Sequence, residues 1–88
     1  MPIQVRKLKP GELDKLGAKS WPTWGCEPSE FDWSYDEPET CYVLEGQVTV
    51  VAPGETVSFG PGDLVVFPKG LSCKWKVTKA VKKHYKFG

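Results

Sequence analysis

The chain has 88 residues, 40% hydrophobic and 26% charged, with a formal net charge of +1. That length holds one small core and excludes a second domain or a large water-filled cavity. The balance is that of a globular chain rather than a disordered one, and no apolar run approaches the ~20 residues of a membrane helix. Met1 to Pro10 carries Arg6, Lys7 and Lys9 without an apolar stretch, so no secretory signal is read there. Cys26, Cys41 and Cys73 are an odd, widely spaced set with no C-x-x-C pair. This argues against a disulfide framework and a structural zinc site. A reducing, cytoplasmic setting is expected, with an organelle reached by a cleaved targeting peptide as the alternative.

In chain order, Ile3–Val5 reads as a short opening strand. Pro10 to Leu16 reads as one or two helical turns, closed by Gly17. Trp21-Pro22-Thr23-Trp24 leads into a loop carrying Gly25 and Pro28. Phe31, Trp33 and Tyr35 then alternate with Asp32, Ser34 and Asp36, the period of a strand with one buried face. Thr40–Leu44, Val48–Val51, Thr56–Phe59, Leu64–Phe67, Cys73–Val77 and His84–Phe87 read as further strands. Turns at Glu45-Gly46-Gln47, Ala52-Pro53-Gly54-Glu55, Gly60-Pro61-Gly62-Asp63 and Pro68-Lys69-Gly70 divide most of them. About eight short strands in so small a unit predict an all-β fold, a closed or nearly closed barrel with a short N-terminal helix. Residues 1–88 form a single domain on this reading, with strand, helix and loop in 1–30 and the barrel core in 31–88.

Charge is unevenly placed. Between Trp21 and Pro68 there is no Lys or Arg, while Lys74, Lys76, Lys79, Lys82, Lys83 and Lys86 crowd the C-terminal end. Antiparallel pairing would lay these basic residues beside the acidic middle. No uniformly basic face is then expected, and neither nucleic acid nor a membrane is an expected partner.

Glu39 to Gly46 resembles the second half of the first cupin motif, and Gly62 to Cys73 resembles the second. Together with Trp21 to Trp24, Glu30 to Asp36 and Phe67 to Val77, the pattern resembles small single-domain cupins grouped with the cupin domain of (S)-ureidoglycine aminohydrolase, in the RmlC-like superfamily. The resemblance covers nearly the whole chain. It implies a small jelly-roll barrel and a homodimer. It does not carry an activity with it.

Enzymatic cupins usually hold a divalent metal with an H-x-H pair, a Glu and a further His. In the family's shorter spacing Trp33 and Tyr35 stand where the pair would be; in the longer, Asp32 and Ser34. Cys73 stands at the last ligand position, only Glu39 survives, and the sole histidine, His84, lies outside both motifs. Alternation favours the shorter spacing, with two rings narrowing the pocket. By strand parity Glu39 shares a face with Cys41, and Cys73 with Trp75. If both faces point inward, Trp33, Tyr35, Glu39, Cys41, Cys73 and Trp75 line one ligand pocket.

No metal is expected there; Glu39 and Cys73 would be its ligands if one were held. Cys41 and Cys73 read as small buried hydrophobes. A buried Glu39 needs donors, from Tyr35, Trp33 or a backbone N–H. Cys73 as a nucleophile would need His84 as its base, and nothing in the spacing joins them. Trp21 and Trp24 read as core packing, with a lid or a subunit contact as the alternative. The preferred function is a small-molecule-binding cupin without a cofactor, taking a polar or ureide-like ligand. The alternatives are a metal-dependent enzyme of the ureidoglycine aminohydrolase type, and a structural or interaction module. Whether any reaction is catalysed stays open.

Overall fold

The computed structural model describes residues 3–9 and 11–88. Its strands are β1 (Gln4–Lys7), β2 (Thr23–Cys26), β3 (Ser29–Ser34), β4 (Glu39–Ala52), β5 (Glu55–Phe59), β6 (Asp63–Phe67) and β7 (Ser72–Phe87). One short helix, α1 (Glu12–Leu16), and a 3-10 turn at Ala18–Ser20 complete the elements. No helix among the described residues is long and apolar enough to cross a membrane.

All strand pairs are antiparallel, in the order β1-β6-β4-β7-β2, with β5 on β4 and β3 on β7. The two long strands exchange neighbours along their length. β4 pairs with β6 over Glu39–Tyr42 and with β5 over Val48–Ala52. β7 pairs with β3 over Ser72–Val77 and with β2 over Val81–His84. The sheet thus bends over itself as a small jelly roll. Phe67 of β6 and Phe59 of β5 both reach Trp75 of β7, with ring centroids 5.5 and 5.7 Å away.

The bend lies where register shifts interrupt the β4–β7 ladder between Val43 and Val48. Glu39, Cys41 and Val43 are buried before it, Val48, Val50 and Ala52 after it. Inward positions therefore change from odd to even numbers, as bulged residues require. Gly46 makes the crossing possible: its φ is 101°, and a Cβ there would collide with the carbonyl oxygen of Ala80 and lie 2.6 Å from Val81 Cα.

The all-β reading and the short helix stand, with three corrections. Thr40–Leu44 and Val48–Val51 are one strand, because Glu45-Gly46-Gln47 bulges instead of turning. Cys73–Val77 and His84–Phe87 are likewise one strand. The segment read as a loop contains β2, which Pro22, Gly25 and Pro28 disguise and which pairing with β7 creates; a Cβ on Gly25 would come 3.2 Å from the Val81 carbonyl oxygen. The sheet accordingly draws on residues before 31. The expected charge pairing is present in the register, with Glu30 opposite Lys76, Asp32 opposite Lys74 and Glu45 opposite Lys82.

Gly46→Ala should lower stability by about 3 kcal/mol, since it adds both a forced positive φ and a backbone collision. Urea unfolding measures this, and a loss below about 1 kcal/mol would contradict the close approach.

Candidate functional site

Burial along β4 begins with a carboxylate. Glu39 faces Phe67 of β6 on one side and Phe87 of β7 on the other, and is only 4% exposed. Such a group must find donors. It has two: Tyr35 Oη donates to Oε1 at 2.8 Å, and Lys83 Nζ donates to Oε2 at 2.9 Å. Lys83 is equally buried.

Backbone and packing fix both donors. Tyr35 follows β3, where its N–H donates to Leu71 O and its carbonyl accepts from Gly70 N, at 2.8 and 2.7 Å. Its ring stacks on Phe67 at 5.0 Å. Lys83 lies on β7 opposite Val43. Its ammonium sits 4.5 Å from the Trp75 ring centroid and 5.1 Å from that of Trp24. Two indole faces thus replace much of the water that the ammonium lost.

Above this triad opens a cavity of about 210 Å³. Trp24, Phe31, Trp33 and Trp75 form aromatic walls, and Tyr85 and Phe87 complete the lining around Tyr35, Glu39 and Lys83. Trp24 stands edge-on to both Phe31 and Trp75, while Phe31 stacks on Trp75. The site is an apolar slot with one compensated ion pair.

The environment keeps the nearby phenol and thiols protonated. Burial, then the Glu39 charge and its hydrogen bond, raises Tyr35 far above the usual phenol range, so Tyr35 is a neutral donor. Burial pushes the Cys41 thiol up to about 12, with Lys83 opposing and Glu39 adding to the rise. The Cys73 thiol is also raised by burial, against a smaller lowering by the neighbouring Trp75 indole. Trp75 Nε1 is buried without a hydrogen-bond partner among the described residues.

Of the six residues expected at the pocket, Trp33, Tyr35, Glu39 and Trp75 line it. Cys41 is fully buried in the core, and the Cys73 thiol faces the Trp33 carbonyl oxygen at 3.7 Å; neither lines the cavity. The two rings expected to narrow the pocket both line it, but in different places. β3 ends at Ser34, so Tyr35 turns into the core, while Trp33 on an edge strand stays 46% exposed and forms a rim. His84 sits far along β7 from Cys73, its Nδ1 3.0 Å from Trp21 O, so no nucleophile–base pair is assembled. Trp24 is a pocket wall, and Trp21 packs under the Lys86 ammonium at 5.5 Å.

Sequence reading missed Lys83, which it grouped with the solvated C-terminal lysines. Parity offered the signal: Val81, Lys83, Tyr85 and Phe87 share one face of β7, and the ends of that series are apolar. A cupin-type metal does not fit these residues. Glu39 already holds the Lys83 ammonium, so a metal ion there would face a like charge at close range, and the described residues contain no group of three His, Cys, Asp or Glu side chains placed to hold an ion.

The EutQ-like cupin domain family matches residues 13–85. The chain belongs to that family. This EutQ-like cupin is 48% identical to a DUF861 family protein of Thermotoga maritima whose structure is solved, with a TM-score of 0.96 over 99% of this chain and 100% of that one. It is 33% identical over 61 residues to the acetate kinase EutQ of Clostridioides difficile strain 630, covering 64% of this chain and 39% of that protein. The chain thus spans about two fifths of that curated relative's length. The Clostridium difficile EutQ structure shares the fold at a TM-score of 0.70 and 22% identity, over 97% of this chain and 66% of that one. The cupin resemblance therefore holds, and the nearer kinship is with EutQ; the comparisons give no support to a ureidoglycine aminohydrolase.

Breaking the buried pair from one side should be costly. Glu39→Gln strands the ammonium and should cost about 3–5 kcal/mol, whereas the double variant Glu39→Gln/Lys83→Met should lose less than the sum of the single losses. A double-mutant cycle by urea unfolding checks this, and additive losses would contradict a coupled pair.

Cys41 gives the alkaline counterpart. Its thiol ionises near 9.0 in the ordinary state and near 12 when folded, so the unfolded chain releases its proton first. The thiol's contribution to stability is complete below pH 9.0 and is lost as pH rises toward 12. Cys41→Ala should flatten the decline in unfolding free energy measured from neutral to strongly alkaline pH; an unchanged slope would contradict this burial.

Proposed function

We propose that the EutQ-like cupin binds a small polar molecule in the aromatic slot over Glu39, Lys83 and Tyr35, without a transition metal. The observation that carries this reading is the combination of a preformed cavity with apolar walls and a few convergent polar groups at its base, the usual make-up of a small-ligand site. A flat amide or ureide suits it. Its faces would lie along the indoles, its carbonyl would accept from the ammonium, and its N–H would donate to a free lone pair of Glu39.

The activity of the acetate kinase relative is not carried over. A nucleotide's phosphates call for several cations, and the pocket offers a single ammonium whose charge Glu39 offsets. The ureidoglycine aminohydrolase reading shares the polar slot but requires a metal at that same carboxylate. A second reading rests on Trp24, Trp33 and Phe87, whose exposed rings surround the mouth. There the rim would meet another protein surface, a second copy of the chain included.

A thermal-shift screen of ureides, amino acids and sugars should return a binder that adds about 2.7 kcal/mol of stability at 100 times its Kd. Trp33→Ala should cost no more than about 1–2 kcal/mol of basal stability because the ring is half-exposed. It should also weaken that binder by about tenfold, since one wall is lost. No hit, together with a change in oligomeric state on Trp33→Ala, would favour the interaction surface. Stoichiometric metal in elemental analysis of purified protein would favour the enzyme.

A further inference from the structure

Among the described residues Lys83 is the one buried cation. Its surroundings are those of a receptor for a small organic cation. Glu39 Oε2 accepts from it at 2.9 Å, and the Trp75 and Trp24 ring centroids lie 4.5 and 5.1 Å away. A carboxylate joined to indole faces is the set of groups that holds alkylammonium ligands, because ring quadrupole and carboxylate charge act together once water is removed. Here the chain supplies the guest from its own strand.

The cage is also locked around that guest. Tyr35 Oη holds the second oxygen of Glu39, so the carboxylate is fixed in place rather than free to turn toward another cation. Trp75 is packed between Phe31, Phe59 and Phe67, which holds its face under the ammonium.

We propose that Lys83 is a tethered cation that keeps this carboxylate–indole cage filled and so sets the charge class of the pocket's ligand. Uncharged molecules and those presenting an acceptor to the ammonium are admitted; amines are refused. A free amine would have to expel the Lys83 ammonium and strand it without a partner, or enter beside it and face a like charge at close range. Tethering also gives the side chain an effective concentration that a dissolved amine does not match. The inference rests on the slot being a small-molecule site and names the kind of molecule it selects.

Thermal unfolding of the full chain tests it, with n-propylammonium and n-propanol as probes. n-Propylammonium restores the carbons and the ammonium that Lys83→Ala deletes; n-propanol restores the shape without the charge. Lys83→Ala should melt well below the parent, and millimolar n-propylammonium should raise its Tm by about 4 °C or more. n-Propanol should not, and the parent should respond to neither. Lys83→Met, whose side chain fills the cage without a charge, should be equally unresponsive. Adding Glu39→Gln to Lys83→Ala should abolish the rescue. Should Lys83→Ala not fold alone, recovery of its far-UV circular dichroism with n-propylammonium but not with n-propanol carries the same support. An equal response of Lys83→Ala to both probes, a response to neither, or an amine response of the parent as large as that of Lys83→Ala overturns the proposal. None of these measurements needs the native ligand, so the tethered cation and the small-molecule site can fail separately.

Discussion

The ion pair between Glu39 and Lys83 is the constraint around which the rest of this small protein is arranged. Two charges removed from water are tolerable only if each is held by the other and by further partners. Here the further partners are a phenol on one side and two indole faces on the other. Those partners are also the walls of the cavity. The groups that make the buried charge bearable are therefore the groups that give the slot its shape and polarity, and site and core are not separable structures.

Strand exchange brings these groups together. Glu39 starts β4 and Lys83 lies near the end of β7, in the half of the sheet that includes β2 and β6, whereas Trp75 comes from the half that includes β3 and β5. Only a bend in both long strands lets the Trp75 ring lie beneath the ammonium. The crossing at Gly46, where one backbone passes against another with no room for a side chain, is the geometric condition for that bend. A residue with no chemistry of its own thus decides whether the chemistry is assembled.

Much of the fold was legible because turn residues and alternation act locally. The strand period grouped Glu39 with Cys41 and Cys73 with Trp75 on shared faces, which are the buried ones, and glycine and proline marked most of the corners. Legibility ended where long-range pairing overrode local cues. β2 carries the punctuation of a loop and becomes a strand only against β7. Trp33 has the parity of a buried residue, but an edge strand leaves one side of it in water. Lys83 was concealed by its neighbours: inside a run of lysines, charge reads as solvation, and only the apolar residues at Val81, Tyr85 and Phe87 betray the inward face. The missing imidazoles showed only that the usual ligand set of an enzymatic cupin is absent from these positions. They gave no hint that an ammonium had taken up the remaining carboxylate.

β7 carries both Trp75 and Lys83, eight positions apart on one uninterrupted strand with a buried face at each. An even separation is what allows both side chains to look the same way. Insertion or deletion of a single residue between them would turn one outward and swing the charge into solvent, whereas a two-residue change would preserve their facing and alter only their distance. Either change breaks the contact, since two residues of strand displace the ammonium by about 6–7 Å, and the spacing from indole to lysine is a ruler by which kin with the same interior can be told from those that merely share the barrel.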